Sequence, residues 1–336
     1  GQQPSGHHAP AAEALIVAFD LLGLPHMNPT SSLNALAKSK RAAVIDVGSN
    51  SFLLVVGQAC DGGPPQILSQ DIRMPRLAQG MQAGGLIQED ALERGVQCMG
   101  ELLGGAEEFG LGASQVRVVA TAALRRAKNG REVAAQLEQA SGCSLEILSG
   151  EEEARLSHLA VAMGDSQTLA VDVGGGSTEV VWAAGTERKS LDLGALTLTE
   201  RFDGKGLSCP ESFAAARAWA RAQFSELPKD LGGDHPLALI GGSAVNLGCL
   251  VLELDHFDHT QADRVWASTS GILALAQDLW LEDLASRRSR PIEADRASFL
   301  PAGLLCLGSA LEALGVPGGW TRTVGLAHGL LGELLD

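Results

Sequence analysis

Two stretches decide the fold: AAVIDVGSNSFLLVVGQ at Ala42 to Gln58, and TLAVDVGGGSTEVVWAA at Thr168 to Ala184. Each reads as an apolar run rich in β-branched residues, a glycine turn headed by an aspartate, and a second apolar run, which is the pattern of two paired strands. One such stretch is an ordinary hairpin. Two in one chain, each opening its own series of strands and helices, predict two related α/β domains facing one another.

Outward from the first stretch, a third strand is expected near Gln66 to Ile72. Leu92, Val96, Met99, Leu102 and Leu103 recur at helical spacing across 89–109. VRVVAT reads as a buried strand, 122–128 and 131–140 as helices, and Leu145 to Leu148 as a strand. Ser149 stands where an N-cap would, and Glu151, Glu152 and Glu153 fill an acidic first turn, so a helix starts there. After the second stretch, LIGGSAVN at Leu239 to Asn246 links a strand to a helix, and helical segments follow near 211–227, 268–286 and 302–314. The division expected is an extension at 1–40, disordered or non-native, a first domain at 41–164 and a second at 165–321, with the boundary at Met163 to Gln167. A last helix within 322–336 can return to the first domain.

The 336 residues suit two domains, and 45% hydrophobic with 19% charged residues is a globular composition. No apolar run reaches the roughly 20 residues of a membrane helix, so no membrane partner is expected. A net charge of −15 argues against broad capture of nucleic acid, while Arg73, Arg76, Arg117, Arg125, Arg126, Lys128 and Arg131 concentrate positive charge where an anionic substrate could be met. Six scattered cysteines without a CxxC pair read as reduced, in a cytoplasmic protein. A homodimer is compatible with all of this.

The chemistry lies in the turns. Glycines let several backbone N–H groups approach one anion. In both copies a carboxylate, Asp46 or Asp172, precedes the turn and would repel phosphate unless a cation lay between, which makes Mg²⁺ or another divalent ion the economical cofactor. Glu179, on the returning strand, can reach the same metal. Among the glutamates at 151–153, one is a candidate general base for water. Arg125, just after a strand-to-helix turn, is a candidate phosphate ligand.

The ordered set DVGSNS, RLAQG (Arg76 to Gly80), VVATAALRRAKN (Val118 to Asn129), SGEEEARL (Ser149 to Leu156), DVGGGSTE and LDLGALTLTE (Leu191 to Glu200) resembles the exopolyphosphatase / guanosine pentaphosphate phosphatase (Ppx/GppA) family. The likeness runs from about Arg41 to the C-terminus and is to the short, two-domain form. It implies two actin-like (ribonuclease H-like) domains, mixed sheets flanked by helices, with a cleft between them. It also implies release of terminal phosphate from inorganic polyphosphate or guanosine pentaphosphate, a nucleotide of the stringent response. By resemblance, Asp46, Asp172 and Glu179 hold the metal and Glu153 activates water. Gly48, Ser49, Asn50, Gly174, Gly175, Gly176 and Ser177 form the phosphate loops, and Arg76 and Arg125 line the phosphate channel. RASFLPAG at Arg296 to Gly303 departs from the family's Arg-Ala-Asp segment, with Ser298 where the acid is expected.

Two other readings compete. A kinase or ATPase of the same superfamily would also carry paired phosphate loops, but Glu153 argues for water as the acceptor. A non-catalytic sensor of polyphosphate or an alarmone would not need the carboxylates, all of which are kept in the main motifs. DHFDH at Asp255 to His259 reads as solvated surface, and His158 as a packing residue.

Overall fold

In a computed structural model of the chain, residues 40–81, 85–162, 168–183, 185–203, 209–229 and 237–336 are described. Residues 1–39 of the expected extension and the boundary at 163–167 lie outside them.

Strands β1 (Arg41–Val47), β2 (Phe52–Cys60) and β3 (Gly63–Arg73) form an antiparallel meander. Helix α1 (Glu89–Glu107) leads to β4 (Val116–Ala120), which pairs parallel with β1, and helices α2 (Ala122–Arg126) and α3 (Gly130–Ser141) lead to β5 (Leu145–Ile147). The strand order is β3-β2-β1-β4-β5. β1 is buried on both faces: Ala43, Ile45 and Val47 meet α1 and α3, while Ala42 and Val44 meet the last helix. A mixed sheet covered on both sides reads as a continuous apolar run, which is why AAVIDV does not alternate.

Helix α4 (Gly150–Val161) ends the first lobe. The second repeats the plan with β6 (Leu169–Val173), β7 (Thr178–Trp182), β8 (Glu187–Leu191), α5 (Ala195–Asp203), α6 (Pro210–Gln223), β9 (Leu237–Ile240) and α7 (Gly242–Val251). Then come β10 (Trp266–Ser268), α8 (Thr269–Leu281), α9 (Leu284–Arg288), α10 (Leu300–Leu314), β11 (Gly318–Thr321) and α11 (Leu326–Leu335). Its order, β8-β7-β6-β9-β11 with β10 added at the edge, copies the first sheet strand for strand. The fold is thus mixed α/β with two actin-like sheets, as the paired stretches predict. Helix α10 is the second lobe's core: twelve leucines, alanines and neighbours from Leu300 to Leu311 are buried, and each large apolar side chain so placed contributes roughly 1.5–3 kcal/mol.

One local expectation is revised, and three strands come unforeseen. The helix expected over 268–286 is two helices, because Asp283 accepts a hydrogen bond from the Ser286 amide at 2.7 Å and caps a new start. β8 carries ERKSL, polar on both faces at a sheet edge, and has no apolar period to reveal it. β10 and β11 are short and rich in Gly and Trp, so they too escape the pattern.

Candidate active site

The repeat in topology sets two aspartates at equivalent places. Asp46 is next to last in β1, opposite Leu53, and Asp172 is next to last in β6, opposite Glu179. Both following turns close alike: the Gly48 amide donates to the Ser51 carbonyl and the Gly174 amide to the Ser177 carbonyl, each at 3.0 Å. The turns meet across the cleft. A Cβ placed on Gly176 would lie 2.8 Å from Ser49 Oγ, and one on Gly175 would lie 3.2 Å from Ser49 Cβ, so the two turns approach one another closely at glycine. Asp46, Asp172, Glu153, Gly48, Ser49, Asn50 and Gly174 to Ser177 all line one cavity of about 180 Å³.

Helix α4 brings the glutamate. Ser149 Oγ accepts from the Glu152 amide at 3.1 Å and fixes the helix start, so Glu153, Leu156, Ser157 and Ala160 share the buried face. The three glutamates then part company. Glu151 is exposed, and Glu152 is tied to Arg155, which also binds Glu333. Glu153 alone turns into the cleft, where Arg125 Nη1 donates to its Oε2 at 3.0 Å.

Burial dominates the electrostatics. Asp46 is pushed up to about 8, first by desolvation, then by the charges of Glu153 and Asp172. Glu153 is raised by burial, with Arg125 restraining the rise and Asp172 adding to it. Asp172 is raised by burial and held back by a hydrogen bond from Ser157. Glu179 is also raised, by burial and by repulsion from Glu153 and Asp172, although the Ser190 and Ser177 hydroxyls oppose this. Asp46, Glu153 and Asp172 thus line one buried cavity, with Glu179 close enough to repel two of them, and a cation there would relieve the repulsion.

Three of the expected ligands stand elsewhere than anticipated. Arg125 is committed to Glu153 and to the Leu148 carbonyl, at 2.9 Å, and does not line the cavity. Arg76 has φ 53, donates its amide to the Asn50 carbonyl, and pairs at 2.8 Å with Asp295 of the other lobe. Glu179 lies behind the second loop, where its Oε1 accepts from Ser190 Oγ at 2.7 Å. Among the described residues no group of three or more His, Cys, Asp or Glu side chains is gathered closely enough to hold an ion directly. The donor set nonetheless fits a divalent cation held partly through water, because Asp46 Oδ1 is buried and has no hydrogen-bond partner in the protein.

The cavity also holds residues that the sequence reading left out. Arg296 lies over the third glycine turn so closely that a Cβ on Gly242 would sit 2.1 Å from its Cζ. Its Nη2 reaches 3.5 Å from Ser51 Oγ of the first loop, and Glu293 holds the same guanidinium from behind. Arg296 opens RASFLPAG, the segment that departs from the family pattern at Ser298. Ser298 is exposed and takes no part in the cavity. Gln70, Arg322 and His328 complete the wall, and burial pushes the His328 ring down to about 4. His158 is a packing residue, its Nε2 2.9 Å from the Thr168 carbonyl. Asp258 of the DHFDH segment spends its carboxylate on Thr260 and Gln261.

Residues 55–336 match the model of the Ppx/GppA phosphatase family. Among solved structures, a Ppx/GppA family member from Aquifex aeolicus is 28% identical with a TM-score of 0.73, over 88% of this chain and 98% of that one. An exopolyphosphatase-like protein is 25% identical with a TM-score of 0.79 over the same shares. An exopolyphosphatase from Cytophaga hutchinsonii, at 19% identity and a TM-score of 0.75 over 88% and 98%, shares the fold. No helix among the described residues is long and apolar enough to cross a membrane.

Proposed function

The chain belongs to the Ppx/GppA phosphatase family, and from that premise we propose that it releases terminal orthophosphate from inorganic polyphosphate, and from guanosine pentaphosphate, by attack of water. The observation that carries this reading is that Glu153, Asp46 and Asp172 line one cavity with both glycine turns. A carboxylate base, a place for a cation and two sets of backbone amides are what transfer of a phosphoryl group to water requires.

The terminal phosphoryl group sits between the turns, its oxygens accepting from loop amides, Ser49 and Arg296. Glu153 accepts a proton from water, the water oxygen bonds to the terminal phosphorus, and the bridging P–O bond opposite breaks. The shortened polymer leaves with the bond's electrons as an oxyanion. Arg125 holds the Glu153 carboxylate in place, and burial keeps it basic. A divalent ion, Mg²⁺ by the hardness of the oxygen donors, would be held by Asp46 and Asp172 with Glu179 behind, and when bound supplies charge neutralisation at the phosphate oxygens. All six cysteines are free, in keeping with work in a reducing cytoplasm.

The test is phosphate release from polyphosphate, guanosine pentaphosphate and ATP, each with and without Mg²⁺. Release from the first two, and not from ATP, supports the proposal. Turnover of ATP alone would replace it with an ATPase, and binding without release with a sensor.

A further inference from the structure

Five buried side-chain atoms among the described residues have no hydrogen-bond partner in the protein: Asp46 Oδ1, Asn50 Oδ1, Arg217 Nε, Ser309 Oγ and Glu312 Oε2. The first two mark the cavity between the lobes. The other three fall in the second lobe, where Ser309 and Glu312 line a different cavity that shares no residue with the first, and Arg217 pairs with Glu312 from outside it.

Ser309 belongs to α10 and is fully buried. A helical serine ordinarily bonds back to the carbonyl one turn earlier, yet Ser309 Oγ does not, and an unpaired buried hydroxyl costs about 1–3 kcal/mol. One turn on, Glu312 Oε1 accepts from Arg217 Nη2 at 3.2 Å. Its Oε2 lies 3.5 Å from Arg221 Nε, close enough for charge attraction but making no hydrogen bond. Arg217, on α6, has its own Nε buried and unpaired. The cavity has a volume of about 280 Å³, with Ser309 and Glu312 at its α10 wall and Arg221, Phe224 and Lys229 facing them.

The polar complement of this space is specific. Ser309, Arg221 and Lys229 offer donors and positive charge, so an anion is favoured. Glu312 Oε2 needs a donor, so that anion must carry a proton of its own. We propose that the cavity between α6 and α10 is a second binding site, for inorganic phosphate, read through its P–OH group. Phosphate oxygens accept from Ser309, Arg221 and Lys229, and the P–OH donates to Glu312 Oε2. Sulfate has the same shape and similar charge but no proton near neutral pH, so one of its oxygens would face the carboxylate and be repelled.

Equilibrium dialysis of labelled orthophosphate against the full chain tests this, with wild type, Ser309→Ala and Arg221→Glu compared. Arg221 is well exposed, so its replacement leaves the core intact even if Ser309→Ala disturbs α10. Each variant is expected to lose one equivalent of bound phosphate per chain, or to bind it at least tenfold more weakly, and sulfate should fail to displace that equivalent. Isotherms of both variants that superimpose on wild type would overturn the proposal. So would sulfate competing as well as phosphate itself.

Discussion

Ser157 Oγ donates a hydrogen bond of 2.7 Å to Asp172 Oδ2. The helix that carries Glu153 therefore also holds the aspartate of the second loop, and two acids from different lobes are positioned by one element. Ser157→Ala removes the hydrogen bond that keeps the Asp172 carboxyl from rising further. The acidic limb of the rate–pH profile is expected to move to higher pH and turnover to fall about tenfold, the worth of one hydrogen bond to a charge. Ser157→Thr should restore both; a profile unchanged by Ser157→Ala would refute the link.

Glu153→Gln keeps the shape of the side chain and a partner for Arg125 but removes the proton acceptor. The expected result is a fall in kcat of about a hundredfold or more with KM little changed. A loss smaller than about tenfold, measured by phosphate release, would mean that another group takes the proton.

The acids predict how stability depends on pH. The carboxyl of Asp46 rises from 3.8 to about 8 on folding, so between those values the folded chain holds a proton that the unfolded chain releases. The stability this contributes is full below about pH 4 and is lost as pH climbs toward 8. In chelator, Tm should decline over that window, and the decline should be shallower in Asp46→Asn. Added Mg²⁺ should raise Tm more at about pH 8 than at about pH 5, because the ion displaces the proton. Equal gains at both ends would argue against a cation beside Asp46.

Gly242→Ala puts a methyl group where the Arg296 guanidinium lies, at 2.1 Å. The arginine must leave, and kcat/KM is expected to drop about tenfold, as for loss of a charge-assisted hydrogen bond. Arg296→Ala should cost about the same, and the double variant no more than either alone. Additive losses would show that Gly242 acts on something other than Arg296.

How much of this was legible depends on distance along the chain. The paired strands and turns are local, and the aspartates come with them, so fold and loops could be read from two short stretches. The residues alone left Glu151, Glu152 and Glu153 open and the resemblance singled out Glu153; the fold gives the physical reason, since with Ser149 as cap the helix turns Glu153 inward beside Leu156 and Ser157 and Glu152 out to Arg155. Arg125 comes as a phosphate-channel residue from the resemblance and its place after a strand-to-helix turn, Arg76 from the resemblance alone, and neither route shows a side chain's partner. Their carboxylates, Glu153 and Asp295, lie 28 and 219 residues away. Arg296 failed in the opposite direction, since only the folded chain shows that it lies against Gly242 and near Ser51.

The closing helix gives the architecture one more consequence. α11 leaves the second sheet at Thr321 yet packs Leu326 and Leu331 on β1 and β2 and passes so near α4 that a Cβ on Gly329 would meet the Leu156 carbonyl at 2.0 Å. The first lobe is therefore stitched from both ends of the fold, and cutting the gene after α4 would yield two fragments, each missing a wall. The stitch itself, Arg322 to Gly325, runs along the cavity. Any pivoting of the lobes has to twist those four residues, so breathing of the cleft and reshaping of its floor are a single movement.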